Sequence, residues 1–205
     1  MQINRRSGQD AAKSLIALRG WPDLAIRVNI KPMHRALAAL IPLAAFLSGC
    51  VGAAGHRSLT RDAPTFDVAR MFVGATTGEG RLKVAFRKTR AVHVESRGRI
   101  GPDGAIVVDQ VITEDGDKTS SRQWLLRPIG PGRYAGSLSD AAGPVEGVVE
   151  GNCLKLRFLM KGDLTAHQWL YAMPDGQSIE NRMSIRKSGI LVARLKETIR
   201  LQDRH

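Results

Sequence analysis

The sequence lacks the short motifs by which many catalytic and metal sites are recognised. It contains no His-Glu-x-x-His, no Gly-x-Ser-x-Gly and no Cys-x-x-Cys. The segment Gly78-Glu79-Gly80 lacks the third glycine of a dinucleotide-binding loop, and the acidic residues within 114–117 lack the ligand spacing of a calcium loop. We therefore expect a protein that is not an enzyme and that holds neither a cofactor nor a metal.

Cysteine is scarce, because Cys50 and Cys153 are the only two. If Cys50 is covalently modified, Cys153 has no partner for an intramolecular disulfide. Lys155 and Arg157 share its predicted strand and would favour a thiolate. A passive Cys153 is nevertheless the favoured interpretation, since the sequence does not place a histidine beside it.

The sequence also lacks an apolar run long enough to span a bilayer. Residues 36–47 form an apolar run of about a dozen residues, whereas a membrane helix needs roughly 20 and a signal-peptide core roughly 7–15. The run ends in Leu47-Ser48-Gly49-Cys50, which resembles a bacterial lipobox. The resemblance implies that Cys50 is lipidated and anchors the chain in a membrane, because two or more acyl chains give stable anchoring. A buried apolar helix is the alternative.

The signal divides the chain into four predicted parts. Residues 1–32 precede it and are interpreted as an over-extended gene-model N-terminus, with a basic nucleic-acid-binding arm or a transit peptide as alternatives. Residues 33–49 are the predicted lipoprotein signal peptide, residues 50–64 the lipidated cysteine and a flexible tether, and residues 65–205 one domain. Because Val51 rather than aspartate follows Cys50, we expect a periplasm-facing protein of the bacterial envelope, at the outer membrane.

The charge balance is basic. The whole chain has a net charge of +12, but seven of its 31 Lys and Arg and two of its 19 Asp and Glu precede Cys50, which leaves +7. A basic domain can be attracted to anionic lipid head groups, although a solvated basic surface explains the charge as well. No run of Lys and Arg is interleaved with stacking aromatics, so we expect no nucleic-acid partner.

Turn signals recur roughly every 8–14 residues from Gly101-Pro102 to Ser188-Gly189, a rhythm typical of hairpin-connected strands. Between them, apolar residues alternate, as with Leu82, Val84 and Phe86 on one predicted face. The pattern predicts strands near residues 81–88, 91–97, 105–113, 119–127, 133–139, 145–150, 153–160, 165–173, 178–185 and 190–201, and a turn of helix near 66–72. So many antiparallel strands usually close, which predicts an all-β, up-and-down antiparallel barrel of about 8–10 strands.

A long string of glycines adds a family resemblance. Gly132-x-Tyr134-x-Gly136, Asp140, Gly143, Gly147 and Gly151-Asn152 lie between Arg122-x-Trp124 and Trp169-x-Tyr171. This arrangement resembles the bacterial lipoprotein family called domain of unknown function 3833. The resemblance implies a lipocalin-like, or calycin, barrel of no established activity. The sequence departs from the family pattern at His167-Gln168 and at Cys153.

Five side chains are candidates for a ligand pocket. They are amphipathic aromatics and their polar neighbours on two predicted strands: Arg122, Trp124, His167, Trp169 and Tyr171. Such residues can surround an acyl chain and meet its polar head. The alternative is that the tryptophans only fill the barrel core. The sequence thus predicts an apolar or amphipathic ligand, or else a structural lipoprotein that docks a protein partner or an anionic membrane surface.

Overall fold

The computed structural model describes residues 63–115 and 118–202, which form one short helix and ten strands. The helix, α1, is Val68–Phe72. The strands are β1 (Gly74–Val84), β2 (Arg90–Ile100), β3 (Ile106–Glu114), β4 (Lys118–Gly130), β5 (Arg133–Leu138), β6 (Ala141–Glu150), β7 (Cys153–Met160), β8 (Leu164–Ala172), β9 (Ser178–Lys187) and β10 (Ile190–Leu201). The predicted signal peptide and Cys50 lie outside the described residues.

The ten strands form a closed barrel in which each strand is antiparallel to the next. β1 and β10 complete the ring, with Thr76 opposite Leu201 and Val84 opposite Ala193. Closure gives both strands two hydrogen-bonded neighbours and leaves no exposed sheet edge. The prediction of an all-β, up-and-down barrel of 8–10 strands is confirmed.

Alternation along each strand separates the barrel interior from its outer wall. In β7, the residues Leu154, Leu156 and Phe158 are buried, while Arg157 and Leu159 between them are exposed. Strands with this period of two place one set of side chains in a continuous core, as the binary pattern of the sequence requires. Most of the interior is consequently apolar.

The start of the described chain covers one end of the barrel. The carboxylate of Asp67 accepts a hydrogen bond from the amide of Arg70 and caps α1, and Val68 and Met71 are fully buried. The guanidinium of Arg70 donates to the carbonyl of Gly176 in the turn between β8 and β9. Because alternate turns of an up-and-down barrel lie at the same end, α1 marks the end formed by the β2–β3, β4–β5, β6–β7 and β8–β9 turns.

Two details of the predicted strands are wrong. β1 begins seven residues earlier than predicted and ends at Val84, so Phe86 lies in the following turn with a positive φ of 60° and is fully exposed. Residues 141–144, which the strands predicted at 133–139 and 145–150 leave outside a strand, lie inside β6, where the pairing with β7 is irregular between Ala141 and Val145. By contrast Gly136 makes the close backbone approach that its place in a strand indicated, because a Cβ there would lie 1.7 Å from the carbonyl oxygen of Leu125.

Candidate functional site

A group of polar side chains crosses the middle of the otherwise apolar barrel. Five adjacent or nearby strands each place one polar residue at an interior position: Gln110 on β3, Arg122 on β4, Gln168 on β8, Asn181 on β9 and Glu197 on β10. Apolar residues lie two positions away from each of them, as Leu195 and Ile199 do on either side of Glu197 and Trp124 does after Arg122. The strand alternation therefore forces these polar groups inward.

We call these five residues the polar layer. Gln110 makes the hydrogen bonds of one half of it. Its side-chain oxygen accepts hydrogen bonds from Nε of Arg122 and from the indole nitrogen of Trp124, both at 2.8 Å. Its amide nitrogen donates to the hydroxyl of Ser96 at 3.0 Å. The guanidinium of Arg122 also lies 5.5 Å from the ring centroid of Trp124, within the range of a cation–π contact. The positions of Arg122 and Trp124 are thus fixed by one shared acceptor.

A chain of hydrogen bonds that ends at Glu197 forms the other half of the polar layer. Gln168 donates to Asn181 at 3.0 Å, and Asn181 in turn donates to the carboxylate of Glu197 at 2.6 Å. The carboxylate lies against β1 at Gly78, where a Cβ would come within 2.0 Å of Oε1 of Glu197. Only glycine leaves room there for the buried carboxylate.

Burial perturbs both charged residues of the layer. Desolvation lowers the pKa of Arg122, an effect that the charges of Asp140 and Glu197 partly offset. Desolvation raises the pKa of Glu197, whereas its hydrogen bond from Asn181 and the charge of Arg122 act in the opposite direction. The barrel thus buries an ionisable pair at a cost that no purely apolar core would carry.

The raised pKa of Glu197 predicts the effect of pH on stability. Between the unfolded and the folded pKa of Glu197 the native state binds more protons, so the contribution of Glu197 to stability is most favourable at acid pH and falls as the pH rises above 4.5. Glu197→Gln keeps the acceptor for Asn181 and removes the charge. We expect thermal unfolding from pH 4 to 8 to show a melting temperature of Glu197→Gln that increasingly exceeds that of the wild type as the pH rises. A constant difference across that range would contradict the assignment.

A small cavity lies between the polar layer and α1. Its volume is about 30 Å³, and its apolar walls include Phe72, Val108, Leu126 and Ile199. This is room for about two water molecules, because each needs roughly 10–15 Å³. Gln168, which also lines the cavity, is 6% exposed, and its buried Oε1 has no hydrogen-bond partner in the structure. The cavity thus offers one unused acceptor and is also lined by Arg122.

The five candidate residues predicted from the sequence fall into two groups. Arg122 and Trp124 line the cavity. His167, Trp169 and Tyr171 alternate with the cavity residues Gln168 and Leu170 along β8 and therefore lie on the outer face of that strand. The structure does not bring all five together, which differs from the prediction of a single pocket.

The three residues on the outer face of β8 have surroundings of their own. His167 stacks on Trp169 with the ring centroids 6.1 Å apart. Partial burial, together with the charges of Arg157 and Arg186, lowers the pKa of His167. His167 and Trp169 are half-buried in a basic part of the outer wall, whereas Tyr171 is 3% exposed and lies opposite Cys153 of β7. None of the three lines the cavity.

Sequence reasoning missed Gln110, Gln168, Asn181 and Glu197. The signal that could have found them is a polar residue at an inward position of an alternating strand, as in Leu195-x-Glu197-x-Ile199. A polar residue at a core position is either an error or a functional feature, which makes it more informative than an aromatic residue there.

The remaining chemical groups offer no second site. Cys153 is buried, and desolvation raises the pKa of its thiol to about 11, so it is protonated at neutral pH. Within residues 63–115 and 118–202, no three or more His, Cys, Asp and Glu side chains are grouped to hold a metal ion. No helix in the described part of the chain has the length and apolar character to cross a membrane.

Comparison with known proteins places the chain in a family. No curated protein sequence matches it. Among solved structures, it resembles the S-type phycobiliprotein lyase CPES from Guillardia theta, with a TM-score of 0.53 and 11% identity over 65% of this chain and 89% of that one. It also resembles Rv2717c from M. tuberculosis, with a TM-score of 0.54 and 17% identity over 66% of this chain and 94% of that one. These likenesses show a shared barrel fold. The profile of the family described as Protein of unknown function (DUF3833) matches residues 44–201, most of the chain, and the chain therefore belongs to that family.

Proposed function

We propose that this protein is an envelope lipoprotein, anchored through Cys50, whose barrel binds an amphipathic small molecule with an anionic head group beneath α1. The observation that carries the proposal is a cavity lined both by Arg122 and by Gln168, whose Oε1 has no hydrogen-bond partner in the structure. The barrel fold itself is compatible with binding a small apolar ligand. The lipid anchor is proposed from the lipobox-like sequence alone.

The polar layer supplies the argument for the head group. A buried charge is weak evidence for stability, because a well-packed apolar residue in its place is often equally stable or more so. A guanidinium presents several donors in a plane, and only Nε of Arg122 is used by Gln110. A carboxylate or phosphate fits the remaining donors. A hydroxyl or amine on the same ligand would satisfy Oε1 of Gln168.

The apolar part of the ligand needs more room than the cavity offers. Ligand pockets commonly measure roughly 300–1,000 Å³, whereas this cavity measures about 30 Å³. The ring of Phe72, at the end of α1, forms part of the cavity wall. Because α1 is a single short helix at the start of the described domain, it is the element that can move with least disruption of the barrel. The ligand would therefore take the space that Phe72 occupies.

This arrangement predicts that Phe72→Ala increases ligand uptake. If Phe72 must move before the ligand can enter, the apparent affinity for the ligand is the intrinsic affinity multiplied by the fraction of molecules in which Phe72 has moved away. Removing the ring raises that fraction. The probe is dodecanoic acid with a diazirine at the end of its chain, added to the membrane-bound protein and photolysed. We expect cross-links on peptides from α1, β4 and β10, and about a tenfold higher yield for Phe72→Ala at probe concentrations far below saturation.

Ile129→Ala is the control, because it removes an apolar side chain that is 60% exposed at the end of β4, at the same end of the barrel as α1. Its yield should equal that of the wild type. Cross-links confined to the outer wall, or a Phe72→Ala yield no higher than that of the control, would contradict an internal site under α1.

A second function is favoured by the small cavity volume. With room for about two water molecules, the barrel is nearly filled by its own side chains. A structural lipoprotein that docks a protein partner needs no larger cavity. The photolabelling experiment separates the two functions, since a filled barrel takes up no probe even when Phe72 is removed.

A further inference from the structure

The end of the barrel opposite α1 carries three neighbouring turns with protruding apolar side chains. These are the β1–β2 turn (residues 85–89), the β9–β10 turn (188–189) and the β7–β8 turn (161–163), which follow one another around the barrel because β1 pairs with β10 and β9 with β8. Phe86 is fully exposed in the first turn. Ile190 is 71% exposed beside the second turn, and Leu159 is 51% exposed just before the third. We refer to these three turns and their flanking residues as the basic rim.

Cations surround the apolar residues of the basic rim. Arg87 and Lys88 follow Phe86 directly, Lys187 precedes the β9–β10 turn, and Lys161 lies in the β7–β8 turn. Asp163 is the one carboxylate within these three turns. The described residues of the other two turns at this end instead carry acidic groups, so the positive charge is confined to one side of the barrel end.

A band of positive charge continues from the basic rim down the outer wall. Lys83 lies opposite Arg194 across β1 and β10, and the same cross-strand row continues through Ser184 and His167 to Arg157. The next row joins cations across three strands, Arg81, Lys196 and Arg182, of which Arg182 is paired with Glu180. Like charges directly opposite each other destabilise a sheet. The positive potential of this band attracts a negatively charged surface.

The basic rim holds its apolar tip in a fixed conformation. The amide of Arg87 donates to the carbonyl of Val84, and that of Ala85 donates to the carbonyl of Val192. The ammonium of Lys83 donates to the carbonyl of Arg87 at 2.6 Å. An ordered turn therefore presents the ring of Phe86 outward, although burying it would be more favourable in water alone.

We infer that the basic rim docks on an anionic phospholipid surface, with Phe86, Ile190 and Leu159 inserted among the head groups. Separate apolar tips that protrude from a convex end can each enter a bilayer interface, and neighbouring cations add roughly 1 kcal/mol each near a negative surface. A nucleic acid would match the charge but offers nothing to the aliphatic tips. This inference is independent of the proposed cavity ligand.

Hydrogen exchange of the full chain in vesicles tests this docking. Vesicles of phosphatidylglycerol with phosphatidylcholine are compared with vesicles of phosphatidylcholine alone, so that any lipid anchor is common to both. We expect amide exchange in residues 85–89 and 188–189 to slow about tenfold on the anionic vesicles, since docked turns exchange only when they detach. The turns at the α1 end should exchange equally on both.

Two variants and an oligonucleotide complete the test. Phe86→Ser should abolish most of the slowing, and the double variant Lys88→Gln/Lys187→Gln should weaken it and its sensitivity to salt. Ile129→Ser is the control, because Ile129 is 60% exposed at the α1 end of the barrel. Equal exchange on both vesicle types would overturn the inference. So would the same slowing produced by a single-stranded thymidine oligonucleotide, which would assign the basic rim to nucleic acid.

Discussion

Gly78→Ala is expected to destabilise the barrel by about 2–3 kcal/mol, the cost of an atom forced into a packed core. The new Cβ would lie 2.0 Å from Oε1 and 2.9 Å from Cδ of Glu197. Glu197 is 6% exposed and is held by Asn181, so its carboxylate cannot swing aside without losing that hydrogen bond. β1 cannot retreat either, because it is paired on both sides. Chemical denaturation of both proteins measures the difference.

A double-mutant cycle assigns this cost to the proposed contact. In a Glu197→Ala background the added methyl meets empty space, so Gly78→Ala should then cost less than about 1 kcal/mol. Gly143→Ala is the matched control, since a Cβ at Gly143 lies 4.0 Å from its nearest neighbour, Leu159. It should change stability by no more than about 0.5 kcal/mol. Additive effects of Gly78→Ala and Glu197→Ala would show that the carboxylate does not rest against β1.

In a Glu197→Gln background, Arg122→Met is expected to weaken ligand binding without weakening the fold. Methionine fills a similar volume and needs no hydrogen bonds, and in that background no buried carboxylate loses its cation. The free energy of unfolding should therefore stay within about 1 kcal/mol of that of the Glu197→Gln protein or increase. The indole of Trp124 keeps its acceptor on Gln110. A charged hydrogen bond to a ligand is worth roughly 1.5–3 kcal/mol, so binding should weaken about tenfold or more. Photolabelling yield and denaturation are measured on the same preparation.

Arg127→Met is the control for this substitution. Arg127 belongs to the same strand but lies on its outer face, where it pairs with Asp103. An exposed pair contributes roughly 0–1 kcal/mol, and its loss should leave photolabelling unchanged. If Arg122→Met instead unfolds the barrel while binding per folded molecule is unchanged, Arg122 serves the fold and not a ligand.

The strands were predictable because alternation and turn residues agree along most of the chain. β7 and β10 have the predicted bounds, since each alternates clearly and is flanked by glycine-containing turns. The bulged β6 was misread, because Gly143-Pro144 is a turn signal that the sheet accommodates as an irregularity. Local sequence cannot distinguish a turn from an irregularity within a strand when the pairing of the strands decides between them.

The site was only half predictable, because which face of β8 points inward cannot be decided from its sequence. Both faces carry apolar groups, and the aromatic face of Trp169 and Tyr171 resembles a core face more than that of Gln168 does. Closure of the barrel fixes the register, and it buries Gln168 opposite Met183 of β9. The partner of an inward polar residue comes from another strand, as Asn181 does for Gln168, and pairing between strands is set only by the fold.

Native mass spectrometry of the full-length protein, extracted from its own membranes in mild detergent, tests the proposed ligand most directly. We predict the mass of a chain that begins at an acylated Cys50, plus the mass of a bound molecule that organic solvent removes. Arg122→Met should lack that additional mass, whereas Arg127→Met should retain it. A wild-type protein that carries no removable mass, even after incubation with an extract of envelope lipids, would contradict the binding function and leave the filled, structural barrel.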